Sequence, residues 1–474
     1  MSIEVILLGM AILFGFYMAW SIGANDVANA MGTSVGSGAL TIKRAVILAA
    51  ILEFSGAFFV GTHVSETIRK GIVSPTLFQG HPMDLVFGMI GALLAAAIWL
   101  QFATYFGWPV STTHSIVGSV IGFGVVVGGF NAVEWPKVAS IVASWVVSPL
   151  LSGSIAFVIF TILRRKIYYK DNPIRAAKKM VPPLVFLVFV ILSLAMAFKG
   201  LKNLHLDLGF MDALGIAVIV GLIAATISHF LVRRIKELPE RKIEIVKQPP
   251  SVIKNMNNII RQLEKTVVQA KGNLQMELDY ILKQLKAANE TANLQAQLRR
   301  SSTEFNTVQR IFVYLQILSA SFVAFAHGAN DVANAVGPLA AVVSILQSGV
   351  ITMKAQVPMW VLGLGGVGII VGLATWGWRV METIGKKITE LTPTRGFAAE
   401  FAAATTIVIA SKLGLPISTT HTLVGAVLGV GLARGIGALN LRTISDIIVS
   451  WVITIPAGAA GAILFYYILK AIFG

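Results

Sequence analysis

Blocks of about 20 apolar residues recur along this chain, and they restrict the folds open to it more than any other feature. Examples are residues 86–106, 182–198 and 214–232. A helix of that length crosses the hydrocarbon core of a bilayer and pairs its backbone polar groups internally, as lipid requires. The sequence lacks the alternating strands that build membrane barrels. We therefore expect an all-α polytopic membrane protein.

Charge and cysteine content exclude several classes of function. Hydrophobic residues make up 56% of the chain and charged residues 13%, and the formal net charge is +16. Most of the positive charge lies in loops between apolar blocks, so it indicates orientation in a membrane rather than binding to nucleic acid. Because the chain has no cysteine, disulfides, cysteine-ligated zinc and thiol nucleophiles are excluded.

About twelve segments are long enough to cross, or nearly cross, a bilayer. They are residues 4–22, 45–62, 85–106, 109–128, 138–163, 181–199, 211–232, 311–326, 359–378, 397–411, 413–432 and 446–471. A long polar stretch separates the seventh segment from the eighth.

The positions of basic residues orient these segments. Clusters of Lys and Arg that begin near Arg164, Arg233 and Lys386 follow the fifth, seventh and ninth segments. All three follow odd-numbered segments, so they share one face, which the positive-inside rule assigns to the cytoplasm. An even total then places both termini outside the plasma membrane, the inner membrane of the cell, and the central loop in the cytoplasm. The loop at 63–84 is an exception, because it is expected outside and yet carries basic residues such as Arg69.

Two sequence elements occur twice. The eight letters GANDVANA occupy residues 23–30 and again 328–335, and PVSTTH at 109–114 returns as PISTTH at 416–421. The offsets, 328 − 23 = 305 and 416 − 109 = 307, agree closely, which indicates an internal repeat. An odd number of segments separates the starts of the two copies. The copies are therefore expected to be antiparallel, as in the inverted repeats of many secondary transporters.

This repeat divides the chain into four parts. Residues 1–163 and 310–474 form the two transmembrane repeats, 164–232 a connecting pair of transmembrane helices, and 233–309 a cytoplasmic helical insert. Apolar residues in the insert recur at spacings of three and four. A helical hairpin folded around Gly272 and a coiled coil that joins a homo-oligomer both fit this pattern.

Each GANDVANA copy places polar side chains at the end of an apolar span. Ionisable groups at that depth are costly in lipid and normally face a cavity or a bound ion, so Asp26 and Asp331 are expected to be functional. The neighbouring glycines and alanines allow close helix packing and suit broken or re-entrant segments. The alternative is small-residue packing around a hydrogen-bonded polar cluster.

Two Ser-Thr-Thr runs each follow a proline and precede an apolar, glycine-spaced segment. That order is typical of a helix N-terminus, where hydroxyls and free backbone N–H groups at the positive end of the dipole bind anions. Two such ends can meet across a pseudo-two-fold axis and surround an oxyanion. The candidate oxyanion ligands are Ser111, Thr112, Thr113, Ser418, Thr419 and Thr420. Simple helix capping is the alternative.

The motif carboxylates, the asparagines that follow them and the nearby serine hydroxyls supply hard oxygen ligands. Such ligands suit sodium better than a soft metal. The candidate sodium ligands are Asp26, Asn29, Ser111, Asp331, Asn334 and Ser418. One carboxylate per repeat indicates at least two cation sites, whose charge offsets that of a dianion. No resident cofactor is expected, only transported sodium ions.

Four other ionisable residues lie in apolar surroundings. Glu53 and Glu400 are candidates for gating, cation binding or proton transfer, with a structural hydrogen bond as the alternative. His114 and His421 complete the repeated elements. A hydrolase triad built on Ser111 would lack the G-x-S-x-G elbow, so the histidines are expected to brace the hairpins, and a proton role stays open.

The paired GANDVANA and P-x-S-T-T-H elements, with a long polar loop between the halves, resemble the inorganic phosphate transporter family known as PiT. The resemblance implies a sodium- or proton-coupled phosphate symporter, and it implies that Glu53 and Glu400 matter for transport. The transport site that it implies is lined by both Ser-Thr-Thr runs together with Asn25, Asp26, Asn330 and Asp331. The copies diverge after their core, because the hydroxyls of Thr33, Ser34 and Ser37 have no counterpart in the second copy. The cation sites are therefore expected to be unequal.

We therefore expect a phosphate symporter that works by alternating access. The oxygen ligands around the two aspartates can replace the hydration shell of sodium but offer no proton relay, which favours sodium over a proton. Sulfate is an alternative substrate, because the sequence contains no obvious discriminating charge. An anion channel is an alternative mechanism, although symmetric broken helices around a closed polar site favour a transporter. A membrane hydrolase is a third alternative.

Overall fold

A computed structural model describes residues 2–60, 72–73, 78–199, 209–235, 250–300, 303–351, 357–412 and 417–474. Within these ranges the chain is almost entirely helical, as predicted. The first half contains α1 (Ile3–Asn25), α2 (Val27–Gly36), α3 (Ile42–Val60), α4 (Pro82–Tyr105), α5 (Thr112–Gly128) and α6 (Trp135–Leu163). Two connecting helices that pack on each other follow, α7 (Pro173–Lys199) and α8 (Phe210–Arg233).

The rest of the chain contains the polar insert and the second half. The insert consists of α9 (Pro250–Gln269) and α10 (Asn273–Arg300). The second half contains α11 (Thr303–Asp331), α12 (Ala333–Ser348), α13 (Met359–Trp376), the short α14 (Trp378–Glu382), α15 (Pro393–Lys412), α16 (Thr419–Arg434) and α17 (Leu441–Phe473). Because α11 begins at Thr303, it extends into the stretch assigned to the insert, and the boundary expected at residue 310 falls inside this helix.

Within the described ranges, 8 helical stretches are long and apolar enough to cross a membrane. Helices α3, α5, α15 and α16 are not among them. Helix α3 carries the charged residues Lys43, Arg44 and Glu53. Helices α5 and α16 are short, with 17 and 16 residues. The chain is a multi-pass membrane protein, and the count of twelve segments stays a prediction. The loop with Arg69 falls mainly outside the described residues.

Both GANDVANA copies lie at breaks between two helices, as the motif predicted. The first break separates α1 from α2 at Asp26, and the second separates α11 from α12 at Val332. The short helices α2 and α12 were not recognised as separate elements in the sequence. The breaks interrupt the helices at the point where the polar residues lie, and the residues that flank the breaks in both motifs are buried.

The two halves pack on each other reciprocally. Helix α1 packs on α13 of the second half, and α11, its counterpart, packs on α3 of the first. Both contacts are made by a motif glycine. A Cβ atom on Gly23 would lie 1.9 Å from the carbonyl oxygen of Ile369, and one on Gly328 would lie 2.2 Å from that of Glu53. Only glycine allows these backbones to touch, and an approximate two-fold relation between the halves requires this kind of exchange.

The insert is a hairpin of two helices. Gly272 turns the chain between α9 and α10 with a φ of 67°, a conformation that favours glycine. The Asn289 amide donates a hydrogen bond of 2.8 Å to Asn257 Oδ1, and Lys286 Nζ lies 2.8 Å from Glu264 Oε1. These contacts correspond to the hairpin interpretation of the apolar spacing.

Candidate functional site

Four helix ends meet in the interior of the protein. They are the two breaks at the GANDVANA motifs and the N-termini of α5 and α16. Asp26, Asp331, Thr112 and Thr420 lie here with at most 1% of their surface exposed. The fold therefore brings the duplicated elements of both halves into one buried polar cluster, which we call the central cluster.

Asp26 accepts hydrogen bonds from both halves of the protein. Thr112 of the first half donates to its Oδ2 over 2.8 Å, and Thr420 of the second half donates to its Oδ1. Asn29, one turn further along, also donates to Oδ1. Charge-assisted hydrogen bonds of this kind stabilise a buried carboxylate in its ionised form.

Asp331 has a different set of partners. Thr419 donates to its Oδ2 over 2.9 Å, and the neighbouring Asn330 donates to Oδ1 over 3.0 Å. The Nε2 atom of His327 lies 2.6 Å from the same Oδ2 and 3.6 Å from Asp26 Oδ2. One ligand atom from each of Asp26, His327 and Asp331 falls within 4.8 Å of the others, which is close enough to share one cation.

The two motif asparagines link the halves directly. Asn29 donates to Thr420 Oγ1 over 2.9 Å, and Asn334 donates to the hydroxyls of Thr112 and Thr113 over 3.0 and 3.2 Å. The Oδ1 atom of Asn29 is buried and has no hydrogen-bond partner among the described residues. An amide oxygen without a hydrogen-bond partner, next to a carboxylate, is an oxygen ligand that suits a hard cation.

Ser111 and Ser418 are the N-cap residues of α5 and α16. The backbone N–H of His114 donates to Ser111 Oγ over 3.3 Å, and that of His421 donates to Ser418 Oγ over 3.2 Å. Both expectations for these residues, helix N-termini and capping, are therefore met by the geometry. A hydroxyl that accepts a capping bond keeps its own proton, which it can donate to an anion at the positive end of the helix.

Asn25 makes hydrogen bonds to the link between α4 and α5. Its amide donates to Thr104 Oγ1 over 2.9 Å and to the Trp108 carbonyl over 3.0 Å, and its oxygen accepts from the Val110 backbone over 3.1 Å. These bonds hold the link between α4 and α5 against the end of α1. The structure therefore places Asn25 as a brace behind the Ser-Thr-Thr run.

Glu53 pairs with a residue that the sequence analysis did not single out. Its Oε2 atom lies 2.9 Å from Nδ1 of His327, and both side chains are almost completely buried. His327 thus connects Glu53 on α3 to Asp331. With the motif offset of 305, the first-half counterpart of His327 is Ile22. A histidine inside an apolar span, one turn before a motif aspartate, was the signal that could have revealed it.

Glu400 lies apart from the central cluster, in a ring of hydrogen-bond donors. Thr33 and Ser34 of α2 donate to its Oε1 over 2.6 and 2.8 Å. Gln316 and Ser319 of α11 also donate to this carboxylate. Two of the three hydroxyls that distinguish the first motif copy therefore face Glu400, and the third, that of Ser37, donates to Gln316 Oε1 over 2.7 Å. With the offset of 307, the counterpart of Glu400 is Leu93, so Glu53 and Glu400 are not repeat equivalents.

His114 and His421 pack against tryptophans rather than against the aspartates. Their rings lie 3.5 Å from Trp145 and 3.6 Å from Trp451 respectively, and 4.3 Å from each other, measured between ring centroids. No hydrogen bond is formed between His114 and Ser111 through the imidazole, since both ring nitrogens of His114 lack a partner among the described residues. The arrangement does not form a Ser-His-Asp triad.

Broken helices from two halves that enclose a buried cluster of carboxylates, hydroxyls and helix N-termini define a membrane transporter for a small anion. A model of the phosphate transporter family matches residues 22–462. The chain therefore belongs to the phosphate transporter family, and transport is favoured over the hydrolase alternative.

Individual relatives agree with this assignment. Inorganic phosphate transporter 2-1, a chloroplastic protein of Arabidopsis thaliana, is 46% identical over 470 residues, which are 97% of this chain and 72% of the relative. A putative phosphate permease of Pyrococcus abyssi is 44% identical over 457 residues, 96% of each chain. A solved structure described as the sodium-dependent phosphate transporter is similar with a TM-score of 0.78 and 37% identity, over 98% of this chain and 100% of that one.

Proposed function

We propose that this chain is a sodium-coupled inorganic phosphate symporter that works by alternating access in the plasma membrane, with both termini outside. The observation that carries the proposal is the central cluster. Both motif carboxylates lie there, both are hydrogen-bonded to threonines of the Ser-Thr-Thr runs, and Asn29 Oδ1 has no partner among the described residues.

Phosphate is proposed to bind between the N-termini of α5 and α16. The hydroxyls of Ser111 and Ser418, and the backbone N–H groups at the starts of these helices, are the donors for its oxygens. Phosphate also carries protons that a carboxylate or a hydroxyl oxygen can accept, whereas sulfate at neutral pH carries none. This difference supports phosphate as the substrate.

Sodium is proposed to bind at the carboxylates. Asp26, Asn29 and Asp331 offer oxygen ligands beside the anion, and bound cations offset the charge of the dianion. The description of the similar solved structure as sodium-dependent supports the same choice. Because every ligand comes from a helix break or a helix N-terminus, a small movement between the halves can open the site to either side of the membrane.

A proton is the second candidate for the coupling ion, and one observation favours it. His327 connects Glu53 to Asp331 and lies 3.6 Å from Asp26, so a protonatable group touches the carboxylates of both halves. Histidine is the side chain whose unperturbed pKa lies nearest to neutral pH, which makes His327 a candidate proton carrier.

Proteoliposomes test these alternatives. With phosphate outside and equal pH on both sides, an inward sodium gradient is expected to drive phosphate accumulation that saturates with phosphate concentration. Uptake that follows a pH gradient with potassium in place of sodium would assign coupling to protons. A current that scales linearly with driving force and does not saturate would indicate a channel. Displacement of labelled phosphate by an equal concentration of sulfate would overturn the substrate assignment.

A further inference from the structure

Four aromatic side chains form a compact group where the two halves meet. They are His114 on α5, Trp145 on α6, His421 on α16 and Trp451 on α17, and we call them the His–Trp cluster. Each histidine packs on the tryptophan of its own half at nearly the same centroid distance, 3.5 Å for the tilted His114–Trp145 pair and 3.6 Å for the stacked His421–Trp451 pair, and the two histidines are 4.3 Å apart. In its packing, the cluster is therefore almost symmetric.

In its hydrogen bonding, the same cluster is asymmetric. The second-half side chains both donate to the backbone of the first half: His421 Nδ1 to the Trp145 carbonyl over 3.2 Å, and Trp451 Nε1 to the Pro109 carbonyl over 2.9 Å. Their first-half counterparts do not return these bonds. Neither ring nitrogen of His114 nor Nε1 of Trp145 has a partner within the described ranges, although both residues are buried.

A buried N–H group without a partner raises the free energy of the state that contains it. The imidazole of His114 and the indole of Trp145 are identical to residues that are paired on the other side of the axis, so nothing in their chemistry prevents pairing. What prevents it is the present arrangement of the two halves. A relative movement of the halves that pairs the His114 ring therefore gains one hydrogen bond, at the expense of the one bond that the His421 ring now makes.

We propose that the observed asymmetry is one of two arrangements of the His–Trp cluster that are related by the pseudo-two-fold axis, and that the transporter exchanges them when its site changes from one side of the membrane to the other. This inference rests on the proposed alternating access. When two antiparallel halves exchange conformations, the new structure is the old one rotated about an axis in the membrane plane. The site then opens to the opposite side of the membrane. In the exchanged arrangement His114 donates to the Trp451 carbonyl, and His421 releases that of Trp145.

The exchange also reaches the anion site. The backbone N–H of each histidine is the capping donor to Ser111 or Ser418, so the His–Trp cluster and the proposed anion site share the first turns of α5 and α16. His114 and His421 are thus positioning residues that act alternately. One hydrogen bond is lost for each one gained, which keeps the two arrangements close in free energy, as a carrier that must visit both requires.

The exposure of the two short helices supplies reporters for the experiment. Val35 at the end of α2 is partly exposed, whereas its counterpart with the offset of 305, Ala340 on α12, is only 2% exposed. The chain contains no cysteine. Single cysteines introduced as Val35→Cys and Ala340→Cys can therefore be labelled with a thiol reagent without background, and their labelling rates report the two arrangements in the purified, reconstituted full chain.

The test compares chemically identical substitutions on the two sides of the axis. His421→Phe keeps the ring stacking but removes a bond of the present arrangement, so it is expected to lower labelling at Val35→Cys and raise it at Ala340→Cys. His114→Phe is expected to do the opposite. The loss of one neutral hydrogen bond predicts a change of about two- to ten-fold in the ratio of the two rates. The double variant loses one bond in each arrangement and is expected to return towards the ratio of the unsubstituted chain.

Conservative variants keep the test decisive if a phenylalanine variant does not insert. His421→Gln and His114→Gln retain a donor and are expected to label like the reporter chain alone. Shifts in the same direction from both single phenylalanine variants, or a double variant that differs from the unsubstituted chain as strongly as either single variant, would overturn the proposed exchange. Alternating access itself is tested separately: it fails if phosphate and sodium change the labelling of neither reporter when both histidines are present.

Discussion

Asp26 and Asp331 occupy the same place in two identical eight-residue motifs, yet their surroundings differ. Asp26 accepts hydrogen bonds from threonine hydroxyls of both halves, whereas Asp331 has the imidazole of His327 only 2.6 Å away. The residue one turn earlier makes the difference, because Ile22 takes the place of His327 in the first half. A duplicated motif can thus keep its letters while neighbours outside the motif give each copy its own electrostatic environment.

Among the substitutions that test this comparison, neutralising each aspartate is expected to have the largest effect on phosphate uptake. We expect Asp26→Asn and Asp331→Asn each to lower phosphate uptake at least about ten-fold, because both remove a charge that several hydrogen bonds now satisfy, and such bonds contribute about 1.5–3 kcal/mol each. Sodium-dependent uptake into proteoliposomes is the measurement. Asp212→Asn, an exposed aspartate near the start of α8, is the matched control and should transport normally. Full sodium dependence in either motif variant would contradict the proposed cation site.

Replacing the residue that distinguishes the copies should have the next largest effect. His327→Ile gives the second copy the residue of the first, but it leaves Glu53 and Asp331 buried without their common partner. Removing one member of a buried charged pair costs about 3–5 kcal/mol, so we expect a marked loss of thermal stability in detergent together with reduced uptake.

A second substitution separates the lost pairing from a general packing defect. Adding Glu53→Gln removes one of the two stranded carboxylates, so the double variant should recover part of the stability lost by His327→Ile. A non-additive recovery in a double-mutant cycle is the expected signature. Strictly additive losses would show that His327 does not couple Glu53 to the second motif.

The capping serines offer a test in which the halves should behave alike. Ser111→Ala and Ser418→Ala each remove one hydroxyl at corresponding helix N-termini, and one hydrogen bond to a charged group contributes about 1.5–3 kcal/mol. We expect each variant to weaken phosphate affinity by about ten-fold or more, with the protein still inserted. Ser140→Ala, on the exposed face of α6, is the control. Unchanged uptake kinetics in both site variants would remove these serines from the anion site.

The smallest effect is expected from the insert, because every candidate site residue lies outside it. Replacing residues 255–300 with a flexible linker should leave uptake within about two-fold, because closing a loop of different length changes its entropy only slowly. Transport assays on the correctly inserted deletion variant give the answer. Complete loss of uptake would assign the insert a role in the mechanism.

Much of the helical architecture was readable from the sequence, for specific reasons. The apolar blocks predicted the long helices, and the small and polar residues around Asp26 predicted the break in the helix there. The segment count was harder to predict, because helices such as α3 carry charged residues that lower their hydropathy. Boundaries near the insert were also harder, since α11 continues from polar into apolar sequence without a turn signal.

The duplicated residues of the candidate site, and the two glutamates inside apolar stretches, could be named from the sequence, but several of their partners could not. The threonines that bond to Asp26 were predicted because they recur in both halves. His327 was missed because it lies outside the duplicated letters. The donors to Glu400 from α11 were missed because Gln316 and Ser319 are 84 and 81 residues away in sequence and become neighbours only when α11 packs on α15.

The reciprocal packing of the halves also bears on how the protein is made. Helix α1 is synthesised before its partner α13 (Met359–Trp376), which emerges from the ribosome only after the connecting helices, the insert and α11. Helix α3 likewise waits for α11. Helix α1 is long and apolar enough to cross a membrane and can therefore insert before α13 is available, in line with the separation of insertion from packing in helical membrane proteins. It follows that each half completes the other's core late in synthesis, and that neither half expressed alone should form a compact bundle.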